Sequence, residues 1–226
     1  VVGSFVLKAL FSITAVSLLA SLFFVLLLLP FEATQGPVQK IFFFHVPSAF
    51  AMYFFAVLGV VFSIVYLLTR KTSYDLKAQA SMRCSLLFGV LVILSGPIWA
   101  KPVWGVYWTW DPRLTLSFVV LLLLLSYVFV RSLLKDRQLE EKARLIGAIL
   151  SILAIPFMIL THLSVKLWRG LHPSVLRNPE GLDPQFSTGL QIMTLSIFLL
   201  GLSLFFVQGR LLEAESKIEE LERQNG

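Results

Sequence analysis

This 226-residue chain is poor in cysteine and in charge. Cys84 is the only cysteine, which excludes an intramolecular disulfide. Without a C-x-x-C-H, the chain cannot carry a covalently attached c-type haem. No G-x-x-x-x-G-K-[ST] occurs, so a phosphate-cradling ATPase site is not encoded, and any energy from ATP must come through a partner. Charged residues make up only 14%, against about 25% in ordinary soluble domains. Together with 57% hydrophobic residues, that shortage sets the chain outside the soluble globular class.

What is present instead is a series of apolar runs that reach or approach the roughly 20 residues needed to cross a bilayer. The expected fold is all-α, a polytopic membrane protein with six transmembrane helices. The first span covers Ser4 to Leu29, and its apolar run exceeds the roughly 7–15 residues of a signal-peptide core. The second begins near His45, with Pro47 expected in its first turn, and runs to Leu68. The third runs from Cys84 to Ala100 and the fourth from Leu114 to Leu134. The fifth covers Leu145 to Leu163 with a kink expected at Pro156, and the sixth covers Thr188 to Gln208. A loop from Ser164 to Ser187 separates the last two.

This division gives one membrane domain, 1–208, and a polar, helix-prone tail, 209–226. The tail sets Leu211, Ala214, Ile218 and Leu221 on one helical face. That suits a solvated extension of the last span, or a docking site for a cytoplasmic subunit.

The net charge of +6 does not call for a nucleic-acid partner, because the basic residues scatter among the connections between spans. The connections after spans two and four hold nine Lys and Arg, and the tail adds Arg210, Lys217 and Arg223. The other three hold six: Lys40, Lys101, Arg113, Lys166, Arg169 and Arg177. Lys and Arg accumulate on the cytoplasmic side of membrane proteins. Both termini are therefore expected to be cytoplasmic, and the poorer side to face outward.

That outward side collects the aromatic and imidazole side chains. Trp99, Trp104, Trp108, Trp110 and Trp168 all fall there, three of them within the stretch Trp104 to Trp110. An interfacial belt would populate both edges of the bilayer. The alternative is a flat apolar platform for a planar ligand. Asp111-Pro112 reads as a helix N-cap and first helical residue. Arg113 is opposed there by the positive end of the helix dipole, so an anionic ligand is expected beside it. His45, His162 and His172 sit at the same edge, and ionisable groups at membrane depth are functional by default. Neutral imidazole is an axial ligand for haem iron, whereas zinc needs three or four ligands that these histidines lack.

Trp104-Gly105-x-x-Trp108-x-Trp110-Asp111-Pro112-Arg113-Leu114-Thr115 resembles the tryptophan-rich WWD motif of the cytochrome c maturation protein C (haem exporter protein C) family. Gln39-Lys40-Ile41, leading into His45-Val46-Pro47-x-Ala49, is similar to that family's segment at the start of span two. Ser164-Val165-x-x-Trp168-x-x-Leu171-His172 is similar to its third outer loop, although Leu167-Trp168-Arg169-Gly170 departs from the family's usual residues. The resemblance runs from about Gln35 to Gln208.

It implies haem b, bound non-covalently, with His45 and His172 as axial ligands to the iron. His162 falls outside the motif and stays unassigned. Trp104, Trp108 and Trp110 would form the platform, with Asp111 and Arg113 beside it, Arg113 pairing with a propionate. The implied role is to hold haem at the outer face of a bacterial inner membrane and present it to a periplasmic haem chaperone. The implied partners are an ABC-type ATPase with its membrane subunits, a small single-span subunit and membrane lipid.

Nothing in the sequence supplies a nucleophile or general base, so the chain is expected to be a haem holder and not an enzyme. The rival readings are a haem–cytochrome c ligase component, a haem-conducting transporter subunit and a purely structural membrane subunit.

Overall fold

The computed structural model describes residues 2–134, 139–168, 170, 172 and 182–225. Lys135 and Arg137 of the basic connections, and Arg169, Leu171 and Arg177 of the third outer loop, lie outside the described residues. The described residues form six α-helices: α1 (Val2–Phe23), α2 (Phe42–Thr69), α3 (Thr72–Trp104), α4 (Pro112–Leu133), α5 (Glu140–Leu167) and α6 (Pro184–Asn225). Each contains a window long and apolar enough to cross a membrane. The protein is a six-helix membrane protein. Its outer surface carries Leu27, Leu94, Phe129, Ile149 and Leu195 exposed, as side chains facing lipid must be.

The helices overrun the apolar runs that announce them. α3 starts at Thr72 and not Cys84, and α5 at Glu140 and not Leu145. Hydropathy marks only the part of a helix inside the hydrocarbon. At about 1.5 Å per residue, the 33 residues of α3 rise about 50 Å, against a core of about 30 Å. The extra turns are polar and helix-compatible, and their charges pair. Asp75, buried on α3, accepts from Arg131 Nη2 of α4 at 2.8 Å and faces Arg144 Nε of α5 at 3.5 Å. Arg144 also pairs with Glu140 one turn before it. This network clasps three helices at one end of the bundle.

α2 begins three residues before His45, after a 3-10 turn at Pro37–Ile41. Pro47 therefore lies inside α2 and not in its first turn, and Pro156 likewise sits within an unbroken α5. The connection from α5 to α6 is shorter than expected, because α5 continues to Leu167 and α6 starts at Pro184.

α6 runs unbroken past position 208, where the tail was expected to begin. Beyond the bundle, Leu212 is buried, and Glu215, Glu219 and Glu222 line a cleft with Arg83, Arg131 and Arg144. That docking leaves Leu211, Ile218 and Leu221 exposed.

α2 packs along α3, α4 along α5, and α1 along α6. Residues of α1, α2, α3, α4, α5 and α6 share one core, in which Phe55 of α2 stacks on Phe88 of α3 at 6.0 Å. α6 reaches these rings through Gly201, where an added Cβ would lie 2.3 Å from Phe55 Cε2. Hydroxyls stitch α1 to α6: Thr14 Oγ1 meets Ser203 Oγ at 2.9 Å, and Ser17 Oγ meets Ser196 Oγ at 2.6 Å. Between lipid-facing helices, where apolar burial gives little drive, small residues and such hydrogen bonds set the approach.

Candidate functional site

A cavity opens at the end of the bundle opposite the Asp75 clasp, with about 860 Å³ of space between its walls, open solvent at its mouth included. Three helix termini shape it. α2 contributes His45, Ala49, Met52 and Tyr53, spaced as one helical face. α3 contributes its last three turns, where neither Pro97 nor Pro102 has an N–H to donate to the helix. α4 contributes Arg113, Leu114 and Ser117.

The α1–α2 connection closes one side. Glu32 accepts from the backbone N–H groups of Thr34 (3.0 Å) and Gln35 (2.5 Å) and from the Thr34 hydroxyl. Those hydrogen bonds, Gln35's first, hold its carboxyl below the ordinary glutamate range. Gly36 follows with φ 60° and ψ −142°, a conformation open to glycine alone. The turn so fixed sets Gln35 Oε1 to accept from Trp99 Nε1 at 2.9 Å. Lys40 donates to the Leu26 (2.6 Å) and Leu29 (3.2 Å) carbonyls, satisfying acceptors left at the π-helical end of the first span (Phe24–Leu28).

The tryptophan loop starts where Gly105 ends α3 in the left-handed conformation, φ 77°. It stops where Asp111 caps α4, its Oδ1 accepting from Leu114 N at 3.0 Å and its Oδ2 from Thr109 Oγ1 at 2.9 Å. Trp104 and Trp108 line the cavity. Trp110 does not; it is 74% exposed and meets Trp108 edge-on at 76°. The three indoles therefore do not lie in one plane, because Trp108 and Trp110 both pack edge-on against Phe118 of α4. Asp111 also stands outside the cavity lining, near Gly170, whose added Cβ would lie 3.7 Å from its Cγ.

His45 and His172 line the same cavity, although 127 residues separate them in sequence. His45 Nδ1 lies 2.9 Å from Ser95 Oγ, and its ring meets the edge of Trp99 at 5.9 Å. His172 meets Trp104 edge-on at 6.4 Å. His162 is exposed on α5 and is not part of the lining. Trp108 Nε1 is buried, with no hydrogen-bond partner among the described residues, so an indole N–H is held ready for an acceptor. Among the described residues, no three His, Cys, Asp or Glu side chains gather as a metal cluster. Cys84 is buried in the core and does not line the cavity.

Sequence reading missed Ser95, Gln35 and Tyr53 as parts of this site. Each is an ordinary polar or aromatic residue within or beside a span, and only the fold brings it to the cavity.

The family model for Heme exporter protein C matches residues 2–225. The chain belongs to the Heme exporter protein C family. The Bradyrhizobium diazoefficiens Heme exporter protein C is 33% identical over 181 residues, covering 78% of this chain and 67% of the relative. The Escherichia coli K12 member is 28% identical over 182 residues, covering 80% and 73%. The Paracoccus denitrificans member is 27% identical over 187 residues, covering 81% and 76%. The match to the Heme exporter protein C family thus takes in all six helices and the tryptophan loop.

Proposed function

We propose that this protein holds haem in the cavity between α2, α3 and α4 and presents it to a haem chaperone during c-type cytochrome biogenesis. One observation carries the reading: His45 and His172, far apart in the sequence, line one cavity with Trp104, Trp108 and Arg113. The two imidazoles would be the axial ligands to the iron of a non-covalently bound haem b. Indole faces and edges and the apolar side chains of α3 suit a porphyrin. Arg113, in the first turn of α4, and the buried Trp108 N–H suit propionates. Cys84 lies away from the cavity, which supports non-covalent binding.

The role is that of a holder and not of an enzyme. The cavity offers imidazoles, indoles, phenols and a guanidinium, with the covalent chemistry left to the partner. Trp110, exposed beside Trp108, and Asp111, close to Gly170, are the contact points for that partner. The Lys and Arg distribution supports a bacterial inner membrane with this end facing the periplasm and both termini in the cytoplasm. An ABC-type ATPase with its membrane subunits and a small single-span subunit would complete the assembly.

The test is the visible spectrum of the protein purified from a haem-replete membrane. A six-coordinate, low-spin, bis-imidazole haem is expected. Protein that takes up no haem, or whose haem spectrum requires neither imidazole, contradicts the reading.

A further inference from the structure

His45 is held by one face of α3. Ser95, Gly96 and Trp99, spaced at i, i+1 and i+4, touch successive parts of its ring. Ser95 Oγ stands 2.6 Å from the Leu91 carbonyl and 2.9 Å from His45 Nδ1. A serine hydroxyl has one proton and two lone pairs, and a carbonyl can only accept. The contact of 2.6 Å with Leu91 therefore takes the hydroxyl proton. What remains on Ser95 Oγ is acceptor capacity, and a hydrogen bond to His45 requires the proton to reside on Nδ1.

The rest of the ring follows. An added Cβ at Gly96 would lie 3.4 Å from His45 Cε1 and 3.9 Å from Nδ1, with no other ring atom within 4 Å. The Nδ1–Cε1 edge is thus the one laid against α3. Nε2 belongs to the other side of the ring and makes no hydrogen bond among the described residues. We infer that Ser95 is the positioning residue that fixes His45 as the Nδ1–H tautomer, leaving the Nε2 lone pair bare for a metal-centred ligand in the cavity. Which nitrogen of a histidine binds metal is set by the hydrogen bond the other makes, and loss of such a partner costs about 10- to 100-fold in metal affinity.

This inference rests on the proposed haem role for the identity of the ligand, but not for the tautomer. The decisive measurement is made on haem-free protein with 15N-labelled histidine, at a pH where the imidazoles are neutral. The His45 nitrogen shifts should show Nδ1 protonated and Nε2 bare. Ser95→Ala should shift the ring toward the opposite tautomer, and Ser95→Thr, whose hydroxyl can make the same back-bond, should restore the first. Haem affinity should fall about 10- to 100-fold in Ser95→Ala and recover in Ser95→Thr. A wild-type His45 protonated at Nε2, or a tautomer indifferent to Ser95→Ala, overturns the inference. If the tautomer responds as stated while His45→Ala leaves the haem spectrum intact, Ser95 still positions the ring, and the ligand reading is what fails.

Discussion

Trp108 carries a group whose burial has no internal reward. Its Nε1–H is buried without a partner among the described residues, and an unmet buried donor costs about 1–3 kcal/mol. Trp108→Phe removes that donor and keeps most of the ring. Thermal unfolding of the haem-free protein should therefore be unchanged or slightly later, while haem dissociates faster. A large loss of stability without haem would show that the indole N–H serves the fold. Glu32 gives a pH-dependent counterpart outside the spans. Its carboxyl is held below the ordinary value by the Gln35 and Thr34 donors, so its contribution to the turn is present above the ordinary range and lost as pH falls through the depressed folded value. Acidification should then loosen the Gln35–Trp99 hydrogen bond, read as a shift of the Trp99 indole proton. Glu32→Gln should remove that pH dependence, and a Trp99 signal indifferent to both changes would dismiss the coupling. Single residues differed in how far the sequence disclosed them. Asp111-Pro112 could be read directly as a cap, because N-cap chemistry is local. Ser95 could not, because its partner lies 50 positions away and a serine inside an apolar run carries no local signature.

At the scale of the elements, the six spans follow from hydropathy, while their ends follow from pairing that hydropathy does not register. Asp75, Arg131 and Arg144 extend α3 and α5 well past the apolar runs because each charge finds an opposite one across the bundle. The seam between α1 and α6 is a second case. Ser17 and Ser196 meet at 2.6 Å, and a double-mutant cycle to alanine should return a coupling of about 0.6 kcal/mol, usual for hydrogen bonds between membrane helices. A coupling of zero would reduce the pair to a packing neighbour. Gly201 sets the approach of α6 to the core rings. Gly201→Leu should lower the thermal midpoint in detergent far more than Leu202→Ala, because position 201 has 2.3 Å where a Cβ needs more than 3 Å. The tail shows the limit of periodicity. Its apolar stripe is visible in the sequence, but which side docks is decided by the arginines of α3, α4 and α5, and they draw in the glutamates.

For the whole molecule, the cavity and the Asp75 clasp occupy opposite ends, and the Lys and Arg count is what supports the proposed cytoplasmic placement of the clasp end. Reporter fusions at Lys77 should give a cytoplasmic signal and those at Gly36 and Gly105 an outer one; the reverse would turn the site to the wrong compartment. The proposed single haem shared by His45 and His172 is tested by the spectrum of histidine variants with and without free imidazole. His45→Ala and His172→Ala should each lose the bis-imidazole spectrum, and added imidazole should restore it. His162→Ala, altered at an exposed position outside the cavity, should match the parent protein. A parent-like spectrum in His45→Ala or His172→Ala, or its loss in His162→Ala alone, would show that the two cavity histidines do not share a haem iron.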